Sequence, residues 1–199
     1  YALHFGEFGN ALVAWLYFLL GIGGAFLFYS GNLLWIESRR KRRQVLQGRA
    51  QINMARATVG ICIGLCVAIS AAFIAVQVLE RFAPASVDAG MRWACFLTWG
   101  GCALWAALRP PARAVRELLW LAAGVTALIP VAHGLCTGRW FWLMGAQGHW
   151  PLFWVDAIAL SMAVGFAMLA RATGKRARHG DPHSVWADPQ PAAPAIPAA

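Results

Sequence analysis

Five long apolar runs, separated by charged connections, leave this chain few folds to choose from. They cover Ala11–Ile36, Ala57–Leu79, Trp93–Leu108, Leu118–Cys136 and Pro151–Ala170. The hydrocarbon core of a bilayer is about 30 Å thick and takes about 20 helical residues, in a range of about 17–25. Four of the runs meet that length. The shorter third, "WACFLTWGGCALWAAL", is extended by Met91 and by the aliphatic stem of Arg92, which can snorkel. Strict alternation is absent, and an open sheet edge cannot lie in lipid. Hydrophobic residues make up 60% of the chain and charged ones only 13%, about half the share of a soluble domain. The reading is an all-α integral membrane protein, a bundle of five transmembrane helices.

Charge orients the bundle. Of 17 basic residues, 14 fall in alternate connections: Arg39–Arg43, Arg49 and Arg56 in the first, Arg109, Arg113 and Arg116 in the third, and Arg171, Lys175, Arg176 and Arg178 after the last run. Arg81, Arg92 and Arg139 occupy the other side. The positive-inside rule then puts the N-terminus outside and the C-terminus in the cytoplasm. The formal charge of +9 is therefore a topology signal that also meets anionic lipid, and no nucleic-acid motif accompanies it. The organisation expected is an extracytoplasmic lead-in over 1–10, a first span over 11–36, a basic cytoplasmic loop over 37–56, four further spans over 57–170, and a Pro/Ala-rich disordered cytoplasmic tail over 171–199. The first residue is not Met and no signal peptide is readable, so a fragment or processed product is expected.

Polar residues inside the apolar runs are where chemistry is sought. His133 interrupts "ALIPVAHGLC", and Asp156 is the one acid within a run. An ionisable side chain at that depth is a functional candidate. A neutral imidazole suits a metal or haem iron, with its second nitrogen held by a partner. The competing reading is a histidine hydrogen-bonded between helices, helped by the carbonyl that Pro130 frees one turn earlier. Asp156 needs a partner, and Arg139, Arg92 or a histidine is expected to supply it. His149 precedes Pro151 at a helix start and reads as interfacial. Trp15, Tyr17, Trp35, Trp105 and Trp120 fit interfacial belts. The loop "TGRWFWLMGAQGHW" is richer in Trp than a belt requires and either lies on the bilayer or caps a site. Gly21, Gly24 and Gly31 share a face of the first run, where a helix or a flat ligand can approach closely.

The segment "LHFGEFGNALVAWLYFLLGIGGAFLFYSGNLLWIESRRKR" resembles the PepSY-associated transmembrane family. The resemblance rests on Leu3, His4, Phe5, Gly6 and Gly9, on Ser30, Gly31 and Trp35, and on the basic cluster after them. It covers about 40 residues; the other four runs are similar to the C-terminal extension of longer members. The family's earlier histidine-bearing helices and its PepSY domain lie outside this chain. The resemblance implies iron uptake, with a kinship to ferrisiderophore reductases carrying haem b. It implies that His4 is an axial ligand, that Gly6 and Gly9 clear the haem edge, and that the upstream PepSY domain and a ferric chelate are partners at the bacterial inner membrane.

Depth separates the two histidines. His4 stands roughly 12 Å outside the core and His133 about 6 Å inside it, at about 1.5 Å per residue. Axial nitrogens of one haem are only about 4 Å apart, so His4 and His133 are not expected to share one. The function expected is the C-terminal membrane part of a haem-b electron-transfer protein that reduces ferric chelates at the outer face of the inner membrane. The alternatives are a permease module for iron chelates or peptides, using Asp156, His133 and the aromatic loop, and a non-catalytic anchor for a PepSY domain.

Overall fold

The computed structural model describes residues 11–39 and 47–188. They are helical nearly throughout, and no strand occurs among them. The chain divides into two compact units, Tyr1–Arg40 and Lys41–Ala199.

The first unit is one helix, α1 (Ala11–Ser38). Its apolar run carries no internal proline to break it. Within it Ser30 and Ser38 turn their hydroxyls back to the carbonyls of Phe26 and Trp35, at 2.7 and 3.0 Å, so neither presents an unpaired hydroxyl to lipid.

The second unit is built from four long helices. The first of them, α2 (Arg49–Phe82), is followed by a 3-10 turn over Pro84–Ser86 and by α3 (Val87–Leu108). Pro110 and Pro111 stop that helix and start α4 (Pro111–Thr137), where a proline at the first position loses no hydrogen bond. Gly138, at φ 74°, closes α4 in the left-handed conformation that glycine adopts freely. A short turn of helix, α5 (Phe141–Met144), leads to α6 (Trp150–His179). In packing order α3 lies on α2, α2 on α4, and α4 on α6. The core runs through this row: Val59, Ile63 and Val67 of α2, Cys102 and Ala106 of α3, Leu118, Leu119 and Ala122 of α4, and Ala170 of α6.

Two glycines set the α2–α3 crossing. A methyl at Gly60 would stand 2.9 Å from Cα of Ala103, and one at Gly64 would stand 2.8 Å from Cβ of Cys102. Small residues four apart let the two backbones approach. They fall in and beside a π-helical segment, Val59–Ile63, which carries one residue more than an α-turn. The Trp99 indole N–H reaches across from α3 and donates to the Ile61 carbonyl at 3.1 Å. In lipid that supplies a partner to backbone the irregular turn leaves less well paired.

Among the described residues, four stretches are long and apolar enough to cross a membrane: Leu19–Ser38, Arg49–Phe82, Pro111–Thr137 and Trp150–His179. The third expected span is α3. It is long enough, but Arg92, three tryptophans and the Gly100–Gly101 pair leave it less apolar than the others.

Two expected boundaries need correction. The first loop does not extend to 56, because helix begins at Arg49; Ala50, Gln51 and Met54 are good helix formers, and Gly48 precedes them. The tail is not disordered from 171. Helix continues to His179, and the residues to 188 fold back in turns against the bundle. Val185 is buried and Trp186 packs on the core. The Asp188 amide donates to the Ala177 carbonyl at 3.0 Å, its carboxylate meets Arg116 at 3.7 Å, and the Gln47 amide donates to the His183 carbonyl at 2.8 Å. Two apolar side chains and a pairing acid outweigh the proline content of this stretch.

Candidate functional site

Near the ends of α4 and α6 farthest from Arg113, Arg116 and Arg171, the bundle holds a pair of ionisable side chains. Asp156 is wholly buried and His133 nearly so. His133 Nδ1 and Asp156 Oδ2 are 3.1 Å apart. A carboxylate only accepts, so the Nδ1–H donates to it. In a neutral imidazole that puts the lone pair on Nε2, the state in which histidine binds metals. The other oxygen, Asp156 Oδ1, is buried with no hydrogen-bond partner.

The helices produce this pair simply. The main contact of α4 is with α6, and the two run antiparallel, so a residue one turn from the end of α4 faces one in the second turn of α6. His133 therefore bridges helices, and its partner is Asp156. The carbonyl of His133 accepts the Thr137 hydroxyl at 2.7 Å.

Two turns deeper on α4, Thr126 and Ser70 of α2 share a buried hydroxyl–hydroxyl bond of 2.8 Å. The helices α2 and α4 run parallel, so Gln77, seven residues beyond Ser70, shares the depth of His133, seven beyond Thr126. Gln77 Oε1 is also buried without a partner. A polar layer thus crosses three helices. Between Ser70–Thr126 and the flank of Asp156 lies an apolar cavity of about 250 Å³, lined by Phe73, Ile129, Val155, Ile158, Ala159 and Met162 among others.

Aromatic residues close the layer toward the end of α4. The Trp140 ring lies against Gly134, where any side chain would collide with it. Trp140 stacks on Trp142 with ring centres 5.2 Å apart, and Phe141 stacks on Phe153 at 5.0 Å. Trp142, Trp150 and Trp154 remain largely exposed, as interfacial rings are. Trp140 thus covers the turn that follows His133, and its neighbours face outward.

Of the other candidates, Arg139 is exposed and His149 half-buried just ahead of α6. Neither has a hydrogen bond or ion pair to His133 or Asp156 among the described residues. His4, Gly6 and Gly9 lie outside the described residues. In α1, a methyl added at Gly21, Gly24 or Gly31 would meet nothing within 4 Å. No group of three or more metal-ligating side chains occurs among the described residues. Ser70, Thr126 and Gln77 are absent from the sequence reading. The signal available was the seven-residue spacing of polar side chains within two apolar runs, Ser70 and Gln77 on α2 and Thr126 and His133 on α4.

At the opposite, basic end, arginines lie over tryptophans, with Arg109 4.5 Å from the centre of Trp105 and Arg171 5.7 Å from Trp120. Glu117 accepts the Trp105 indole N–H at 2.7 Å and faces Arg109 at 3.8 Å. These contacts fit belt anchoring.

Comparison with curated proteins and with solved structures gave no match. One family model, described as the PepSY-associated TM region, matches residues 1–38, a stretch that ends with α1.

Proposed function

We propose that this chain is the membrane part of a haem-b electron-transfer protein that reduces ferric chelates at the outer face of the bacterial inner membrane. The observation that carries the reading is the Asp156–His133 hydrogen bond, which readies one imidazole nitrogen for iron. His133 Nε2 would hold the iron of such a haem, with the imidazole buried among apolar helices and oriented by Asp156. A second ligand would come from outside the described residues; His4, by its sequence distance from the core, would serve a separate iron or none. Bound haem supplies reversible one-electron chemistry. The chain's own residues hold the imidazole proton on Nδ1, keep Nε2 available and exclude water. The orientation follows from the basic residues, with the C-terminus in the cytoplasm and α3 crossing as a fifth span.

The unpartnered Oδ1 of Asp156 favours a second reading, a permease whose cargo or proton meets that oxygen. An optical spectrum of the full chain purified from haem-replete cells separates the two. A Soret band with sharp reduced α and β bands, lost or shifted in His133→Ala, is expected. A colourless protein that transports chelate overturns the haem reading, and a colourless protein without transport leaves a membrane anchor.

A further inference from the structure

At the basic end, α2 and α3 enclose a groove of about 330 Å³ lined by Asn53, Arg56, Ala57, Gly60, Ile61, Ala103 and Ala107. Its floor is apolar and small, because Gly60 carries no side chain and α3 approaches it closely. Arg56 and Asn53 stand at one end, one helical turn apart. The Arg56 Nε–H donates to the Arg109 carbonyl at 2.9 Å, which fixes the guanidinium. No carboxylate pairs with it among the described residues. Glu117, the acid on the neighbouring α4, is committed to Arg109 and Trp105.

We infer that this groove seats one acyl chain of an anionic phospholipid, with its phosphate on the free Nη groups of Arg56 and on the Asn53 amide. Charge complementarity identifies the occupant. A guanidinium fork matches a phosphate in two parallel hydrogen bonds, and an apolar trough below it takes hydrocarbon and not a soluble anion. A general attraction of the basic end for anionic lipid would spread over all its arginines; the groove confines recognition to one of them. The haem reading does not enter, since the groove lies at the other end of the bundle from His133.

Native mass spectrometry of the full chain, released from nanodiscs of equal phosphatidylglycerol and phosphatidylcholine, tests the site. Retention of one phosphatidylglycerol in preference to phosphatidylcholine is expected. Arg56→Gln should weaken it about fivefold, the effect of one basic residue at a membrane surface. Ala57→Trp, which fills the trough, should abolish the preference while leaving the helical circular dichroism unchanged. Arg49→Gln removes a charge from the same end but not from the groove, and should change little. Equal loss in Arg49→Gln and Arg56→Gln would show diffuse attraction and overturn the proposal. So would equal retention of both lipids, which would mean that another helix or a second copy fills the groove.

Discussion

Removing either partner of the His133–Asp156 pair should have unequal consequences, and the inequality can be worked out from the hydrogen bonds. His133→Leu leaves Asp156 buried with neither oxygen paired, since Oδ1 has no partner to begin with. Leaving a buried carboxylate without its donor costs about 3–5 kcal/mol, the range for a buried charge stripped of its partner. Protonation of the acid limits the penalty, so the low end, about 3 kcal/mol, is expected. Asp156→Leu orphans only the Nδ1–H of His133, at about 1–3 kcal/mol, and at the same time removes the unpaired Oδ1, which offsets a cost of similar size. Its net effect should be about 0–2 kcal/mol by that balance. The double variant leaves no orphan and should be close to wild type or more stable. The two singles are then coupled by about 3–5 kcal/mol, above the roughly 0.6–1.7 kcal/mol typical of neutral polar pairs in membranes, because one partner is an acid. Reversible unfolding in mixed micelles of rising dodecyl sulfate, followed by circular dichroism, measures all four proteins. Equal single effects that add to within about 0.5 kcal/mol would refute the pairing. A stable double variant that has lost the optical or transport activity would show that the pair is kept for its chemistry.

Gly64→Leu should destabilise by about 1–3 kcal/mol through overpacking against Cys102, whereas Gly24→Leu should be tolerated in this chain, and thermal melts in detergent compare them. Ser70→Ala should cost about 0.6 kcal/mol by the same unfolding assay, because the Thr126 hydroxyl can turn to its own helix. Trp186→Ala should cost up to about 1.5–3 kcal/mol and speed proteolysis of the segment after Gly180, read by mass spectrometry of the fragments. A reporter placed after Asp188 should be active only in the cytoplasm, and activity outside would reverse the proposed orientation.

The helical class and most of the membrane stretches were legible because about 20 apolar residues in lipid admit almost nothing but helix. Asp156 was legible as a residue in need of a partner, since burial of an unpaired acid is so costly. The choice of His133 among three possible partners required the antiparallel packing of α4 on α6, which no spacing in the sequence encodes. Gly60 and Gly64 went unnoticed beside the denser glycines of α1, although these two make the close crossing. Ser70, Thr126 and Gln77 vanish in any average over a run, because one polar residue among twenty barely alters it. The tail was misjudged for the opposite reason: proline content outweighed Val185 and Trp186, two residues that found a core to join.

The π-helical segment gives α2 two helical phases. Its extra residue turns everything upstream by about 100° relative to a continuous α-helix. Arg56, before the segment, and Ser70 and Gln77, after it, therefore present faces that no single helical wheel aligns. Deleting Cys62 would let the segment close as ordinary helix. The upstream part would keep its place, with Arg56 still on the Arg109 carbonyl and Ser70 still on Thr126, because only the surplus residue is lost. Deleting a residue from the regular helix between Gly64 and Ser70 would instead turn Arg56 by about 100° and off that carbonyl, so the π segment is where α2 can lose a residue without re-aiming the basic end.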